Sequence, residues 1–327
     1  MTLALTTQLV AAESLATETA ARVLRDGGLV AFPTETVYGL GADATDAQAV
    51  ARLYQAKGRP SFNPLIAHVA DLPAAQKLAR FNPDALRLAE QFWPGPLTLV
   101  LPKAPGCPVS DLATAGLDSI AVRLPAHPIA RDILRAFGGP VVAPSANLSG
   151  RVSPTTAQHV MSDLAGRIDL VVDGGRVNVG VESTIVALLD TPTLLRPGGI
   201  PAAHIEKVLG KSLVRLTHET QNSEPHPLAP GMLASHYAPL TPVRLDARHI
   251  DSDDALLAFG PVTIQGADAS RVMNLSEAGD LIEAAANLFA HLRSLDKLGA
   301  RAIAVMPIPD EGLGEAINDR LRRAAVR

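Results

Sequence analysis

The stretch from Thr45 to Val69, TDAQAVARLYQAKGRPSFNPLIAHV, decides the fold class. Residues 45–57 read as a helix stopped at Gly58, because a glycine just past the last turn accepts the backbone angles that close a helix. Residues 65–69, LIAHV, then read as a strand-like apolar run carrying a histidine. Between them Lys57 and Arg59 flank the glycine, and Pro60 and Pro64 stiffen the loop. A helix that hands over to a strand so quickly belongs to a chain in which the two element types alternate.

Working outward, the alternation covers the first two hundred residues. TETAARVLRDGG places Thr17 as a cap, Ala20, Ala21, Val23 and Leu24 on an apolar face, and Gly27 as a stop. NPDALRLAEQFW opens with Asn82 as cap and Pro83 at the first helical position. The runs LVAF (29–32), LTLVLP (97–102), SIAVRLP (119–125), PVVAPS (140–145), LVVDGG (170–175) and STIVALL (183–189) read as strands, several following one another without a helix between them. That pattern predicts a mixed α/β sheet rather than a purely parallel one. From about Pro201 to Pro239 periodicity is lost in favour of Pro, Ser, His and Asn, which predicts a linker. RVMNLS, a helix from about Glu277 to Leu298, RAIAVMPI and LGEAINDRLRRAA then predict a small βαβ-type second unit. The expected division is therefore 1–200, 201–240 and 241–327.

Composition bounds the function. With 47% hydrophobic and 19% charged residues the chain is an ordinary globule, and its 327 residues exceed what one core usually supports. A net charge of −4 supplies no global basic field, so any nucleic-acid contact must come from a local patch. The one cysteine, Cys107, excludes an internal disulfide and a zinc-finger cluster. No apolar run reaches the roughly 18 residues of a membrane span, and MTLALTTQLVAAESLA lacks a basic leader, so the expected location is the cytoplasm.

Familiar nucleotide motifs fail. LGKS at 209–212 has the ending of a P-loop, but Ile205 stands where the first glycine belongs, and GLGADA at 39–44 lacks the third glycine of a dinucleotide fingerprint. Four other places concentrate polar groups. In FPTETVYGLG the hydroxyls of Thr34 and Thr36 lie beside Glu35 on a proline-stiffened loop; alone, this is equally a strand-to-helix turn. Lys57, Arg59 and Asn63 could converge on a polyphosphate, the arginine as a planar fork and the lysine as a compact charge, although Lys57 also suits a helix C-terminus. His68 alone reads as a hydrogen-bonded core residue. Arg123, set among Ile120, Val122 and Leu124, needs an anionic partner if buried, and APSANLSG (143–150) sets Ser145, Asn147 and Ser149 among small residues. ESTIVAL and LLRPGG put Ser183 and Arg196 at strand ends.

In chain order, PTETVYGLG, KGRPSFNPL, WPGPLTLVL, IAVRLP, PSAN, VVDGG, STIV and LRPGGI resemble the motifs of the YrdC/Sua5 family across essentially the whole chain, and APGMLASHYAP with GLGEAINDRLRRAA resembles its longer, Sua5 type. The resemblance implies a twisted mixed sheet around a large concave cavity with a small Rossmann-like C-terminal domain. It implies a nucleotidyltransferase that makes threonylcarbamoyl-AMP and pyrophosphate from L-threonine, bicarbonate or CO2, and ATP, for t6A modification of tRNA. Carried over by motif, ATP contacts fall on Lys57, Arg59, Asn63, Ser119, Ser145, Asn147, Ser153, Arg196 and Tyr237. Threonine contacts fall on Thr36, His68, Arg123, the Ala143 backbone and Ser183. Lys57 and Arg59 are the expected catalytic cations. Mg2+ is expected with ATP and no protein metal ligand is expected. The SHYAP segment is expected to cover the cavity. The implied partner is a downstream t6A transferase complex, with room for a weak tRNA contact. Two rivals are a basic surface for RNA, which the acidic balance and 3% aromatic content oppose, and a carbamoyl-adenylate enzyme of the hydrogenase-maturation type, whose zinc fingers one cysteine excludes.

Overall fold

The computed structural model describes residues 5–215, 229, 236–262, 264 and 268–326. The deciding stretch folds as its residues require. Helix Ala47–Lys57 is capped by the Asp46 side chain, which accepts from the Gln48 amide, and is closed by Gly58 at φ 60°. Ile66–His68 follows as a strand buried along its length.

The chain begins with β1 (Gln8–Ala11), α1 (Ser14–Arg25), β2 (Val30–Pro33), β3 (Tyr38–Asp43), α2 (Ala47–Lys57), β4 (Ile66–His68), α3 (Leu72–Leu78) and α4 (Pro83–Phe92). It continues with β5 (Leu97–Pro102), β6 (Ser119–Arg123), α5 (Pro128–Phe137), β7 (Val141–Val142), α6 (Ala157–Leu164), β8 (Leu170–Asp173), β9 (Thr184–Ala187) and β10 (Thr193–Arg196). Helix α1 starts before Thr17, with Glu13 in the cap position. Its buried face is Ala16, Ala20 and Leu24, so the first turn must already be formed at Ala16 and Thr17 cannot be the cap. Asn82 does cap α4, accepting from the Ala85 amide, with Pro83 in the first turn.

Residues 201–215, placed by composition in a linker, instead form α7 (Ala202–Leu209) and β11 (Val214–Arg215), which pairs in parallel with β10. Ile205 and Leu209 are buried on the main core, which is what makes this polar-flanked segment a helix. Among the described residues, eleven strands make one mixed sheet in the order β1-β8-β2-β3-β7-β4-β6-β5-β9-β10-β11. Apolar side chains cover both faces: Leu40, Leu53, Leu88 and Leu99 belong to one cluster, and Phe32, Ile133 and Val172 to another beneath α1 and α5.

A second sheet follows. It contains β12 (Val243–Arg244), β13 (Ala255–Ala258), β14 (Val272–Asn274) and β15 (Ile303–Val305) in the order β12-β15-β13-β14, with every pair parallel. Helix α8 (Leu281–Asp296) lies between β14 and β15 in sequence, and α9 (Gly314–Ala325) follows β15. The α/β class and the small Rossmann-like unit are as expected. The apolar cluster of this unit, built on Leu257, Phe289, Leu292 and Ile317, also takes in Val37, Val152 and Val181 from the first unit. The site lies near this shared cluster. Two strands in mid-sheet set it up: β4 and β6 run parallel in a register that places His68 directly beside Arg123.

Candidate active site

A cavity opens above the ends of β4 and β6. Its walls come from the β2–β3 loop, the start of the PSAN loop, the strand ends at Ser183 and Arg196, and the His236–Tyr237 pair.

On the β2–β3 side Thr34 and Thr36 bring their hydroxyls to 2.8 Å of each other. Arg123 donates from Nη2 to Glu35 Oε1 at 2.6 Å and to Thr36 Oγ1 at 3.0 Å. Glu35 also accepts from the Ala126 amide at 3.0 Å. Burial alone would raise the Glu35 carboxyl, but the Arg123 charge and these hydrogen bonds outweigh it and hold it below the ordinary carboxylate range. The partner that a buried arginine requires is thus present in the fold. His68 is neutral: burial and the adjacent Arg123 push its imidazolium down to about 3. Its Nδ1 lies 3.1 Å from the Ile66 carbonyl, which can only accept, so Nδ1 carries the proton and Nε2 keeps its lone pair.

Two further guanidinium groups face the same space. Arg59 is tied by Nε to the Asn63 carbonyl at 3.3 Å and by Nη2 to the Pro64 carbonyl at 3.1 Å, so the stiff loop positions its own cation. Arg196 donates to the Ser183 carbonyl at 3.0 Å and hydroxyl at 3.1 Å, and that hydroxyl also meets Thr98 Oγ1 at 2.7 Å. Burial lowers Arg59 to about 10, with the Arg196 charge adding to it, and depresses Arg196 as well, with the Arg320 and Arg123 charges adding to it. A site that crowds desolvated cations is poised for an anion, whose arrival relieves both costs.

The far wall is Glu182, Tyr237 and His236. Glu182 accepts from Ser153 Oγ at 2.5 Å and from Arg320 Nε at 2.9 Å. Burial favours its protonated form, but Arg320 and Arg196 override this and hold its carboxyl low. Tyr237 has φ 63°, a left-handed conformation unusual for a residue with a side chain, and its ring stacks on Phe289 at 5.5 Å. His236 lies against it edge-on at 4.1 Å, and burial pushes its imidazolium down to about 3. Residues 230–235 of the expected covering segment lie outside the described residues.

Of the predicted set, Thr36, Arg59, His68, Arg123, Ala143, Ser145, Ser183, Arg196 and Tyr237 line the cavity. Lys57, Asn63, Ser119, Asn147 and Ser153 are buried but do not line it. Lys57 was expected to face phosphate. Its ammonium instead donates to the carbonyls of Ser145 and Asn147, at 2.5 Å each, and so clasps the PSAN loop. Burial, with the Arg59 charge added, pushes this ammonium well below its ordinary value. Asn147 braces the same loop, donating from Nδ2 to the carbonyls of Leu148 and Arg151. Ser119 opens β6, about 13 Å of strand from Arg123 by the usual rise per residue. Ser153 reaches the wall through Glu182.

Glu182, His236, Arg320 and Glu35 are not among the predicted site residues. The signals available were the acidic residue just before Ser183 in ESTIV and the histidine next to Tyr237. Arg320 had none, because its partner is 138 residues away. Among the described residues no group of three or more His, Cys, Asp or Glu side chains is arranged to hold a metal ion.

Comparison with known proteins fits this arrangement. The family model for Sua5, YciO and YrdC, described as "Telomere recombination", matches residues 22–198. The chain belongs to this family. A second model, "Threonylcarbamoyl-AMP synthase, C-terminal domain", matches residues 200–326. Relatives include the threonylcarbamoyl-AMP synthase of Pyrococcus abyssi, 44% identical over 94% of this chain and 93% of that one. That of Bacillus subtilis is 43% identical over 94% and 92%. The crystal structure of P. abyssi Sua5 complexed with L-threonine superimposes with a TM-score of 0.88 at 41% identity, covering 98% of this chain and 97% of that one.

Proposed function

We propose that the cavity joins L-threonine, bicarbonate or CO2, and ATP into threonylcarbamoyl-AMP, releasing pyrophosphate, for the t6A modification of tRNA. The carrying observation is that Arg59, Arg123 and Arg196 line one cavity whose only lining carboxylate among the described residues, Glu182, does not offset them. The relatives named above carry this activity in their names, and the threonine complex belongs to the P. abyssi protein.

Threonine fits the Arg123 side. Its carboxylate takes up the guanidinium, and its ammonium finds acceptors in the free Nε2 of neutral His68 and in the Thr36 and Ser183 hydroxyls, with the Ala143 backbone completing the pocket. ATP fits the Arg59 and Arg196 side, with the Ser145 loop held in place by Lys57 and Asn147. For Asn63, Ser119 and Ser153 the reading rests on the family resemblance. The amine, as free base, adds to the carbon of CO2 and loses a proton, giving the carbamate. A carbamate oxygen then attacks the α-phosphorus, and the bond from that phosphorus to the bridging oxygen breaks with pyrophosphate as leaving group. Carbamate and triphosphate are both anions. What this chain supplies is therefore approach and charge neutralisation, through groups already fixed by backbone contacts. Mg2+ would come with ATP and would supply charge neutralisation at the phosphates; the two buried carboxylates near the site, Glu35 and Glu182, are each paired with an arginine. Tyr237 and His236 would close the nucleotide side and keep water from a hydrolysable product. The product passes to a transferase that acts on tRNA, in the cytoplasm. Among the described residues no helix is long and apolar enough to cross a membrane.

The test is pyrophosphate release from ATP with each co-substrate omitted in turn. Release should require threonine and bicarbonate together; equal release without threonine overturns the reading.

A further inference from the structure

Arg320 belongs to the second unit, on α9, yet it is fully buried and ends at the first unit's cavity wall. Its Nε donates to Glu182 Oε2 at 2.9 Å. Its Nη1 donates to the carbonyl of Pro197, directly after Arg196, at 2.9 Å, and to its neighbour Asp319 at 2.7 Å. Its guanidinium carbon lies 5.2 Å from the centre of the Tyr237 ring, within the range of a cation–π contact. One side chain thus touches the segments that carry three cavity residues: Glu182, Arg196 and Tyr237.

Stability does not account for it. A buried ion pair costs desolvation that an apolar residue of the same size avoids. Among the described residues Nη2 also finds no hydrogen-bond partner, and neither does the Tyr237 hydroxyl. Tyr237 in turn is held at a φ that costs on the order of 1 kcal/mol or more and persists only where its surroundings dictate it.

We infer that Arg320 is a positioning residue for the nucleotide half of the active site: through Glu182, Pro197 and Tyr237 it sets the wall that ATP meets, so that the second unit completes the site without touching substrate. The inference rests on the ATP assignment above. Its consequence is selective, because Arg123, Thr36 and His68, on the threonine side, have no contact with Arg320.

The experiment compares Arg320→Met with Arg176→Met in the full chain. Arg176 also crosses between the units, donating to Asn287 Oδ1 at 2.5 Å and to the Ala286 carbonyl at 2.9 Å, but it does not line the cavity. Arg320→Met should raise the KM for ATP about tenfold while moving the KM for threonine less than about threefold, a difference of roughly 1 kcal/mol between the two substrates. Arg176→Met should leave both within about twofold. If Arg320→Met folds poorly, Arg320→Lys, which keeps the charge but loses the fork, should show the same split at smaller size. A double-mutant cycle with Tyr237→Leu, which removes the ring that Arg320 meets, should be non-additive for ATP. Equal shifts in both KM values, no shift in either, or a loss of activity that only follows the folded fraction overturns the inference. Failure of the wild type to make pyrophosphate would instead overturn the parent reading, so the two failures are distinct.

Discussion

Two buried arginine–glutamate pairs each contribute one member to the cavity lining, and they are built differently. Arg123 and Glu35 come from one unit, 88 residues apart, and of the two it is the arginine that lines the cavity. Arg320 and Glu182 come from two units, 138 residues apart, and only the glutamate reaches the cavity. In both, the arginine keeps the carboxylate ionised against burial. The contrast teaches that the same chemical pair can present a charge to a substrate or fasten a wall, and that which one it does depends on whether the cation itself reaches open space.

The sharpest way to break that contrast is Arg123→Ala. It removes charge-assisted hydrogen bonds worth about 1.5–3 kcal/mol each and leaves Glu35 buried without its cation. We expect kcat/KM for threonine to fall by at least about 100-fold, read by pyrophosphate release, with Cys107→Ser within about twofold of wild type. Comparable activities would remove Arg123 from the site. Arg59→Ala should cost somewhat less, on the order of 10- to 100-fold in turnover with ATP saturating threonine-bound enzyme, because Arg196 remains. A loss no larger than that of Cys107→Ser would discredit the phosphate assignment.

Acid sharpens the comparison further. His68 and His236 have folded values near 3 against 6.5, so the unfolded chain binds more protons below about pH 6.5. Their contribution to stability is therefore complete above pH 6.5 and declines as pH falls toward 3. Glu35 and Glu182, lowered from 4.5, add a loss that begins near that value. Calorimetry should show a nearly constant Tm from pH 7 to 8 and a progressive drop below about 6. A flat Tm down to pH 4 would mean the imidazoles are not held neutral. The smallest effect is Tyr237→Phe. Its hydroxyl has no partner among the described residues, so Tm should change by less than a degree or two, about 0.5 kcal/mol at most, while any rise in the KM for ATP measures what the hydroxyl gives the nucleotide.

Much of this was legible before the fold. Gly58, Asn82 and the Pro- or Gly-ended apolar runs marked element ends because their effects are local to the backbone. Helix α5 carried a readable signal in Pro128 at its start and was passed over. Helix α7 was hidden by polar neighbours, since its burial on the main core is set by residues far away in sequence. The cations of the site could be read because arginine in an apolar strand demands explanation. Lys57 stood out as a cation beside a glycine, but nothing in KGR says that its ammonium will find two carbonyls 88 and 90 residues on. Arg320 shows the same limit more strongly, since an arginine in NDRLRR resembles any solvated helix face until the two units are placed together.

The apolar cluster that runs from Val37 and Val181 through Tyr237 to Phe289 and Leu257 has a thermodynamic consequence. Parting the units would expose that surface to water, so neither can melt at leisure while the other stands. Differential scanning of the intact chain should give one endotherm, and substrate that tightens the cavity should raise the melting of α8 and α9 along with it.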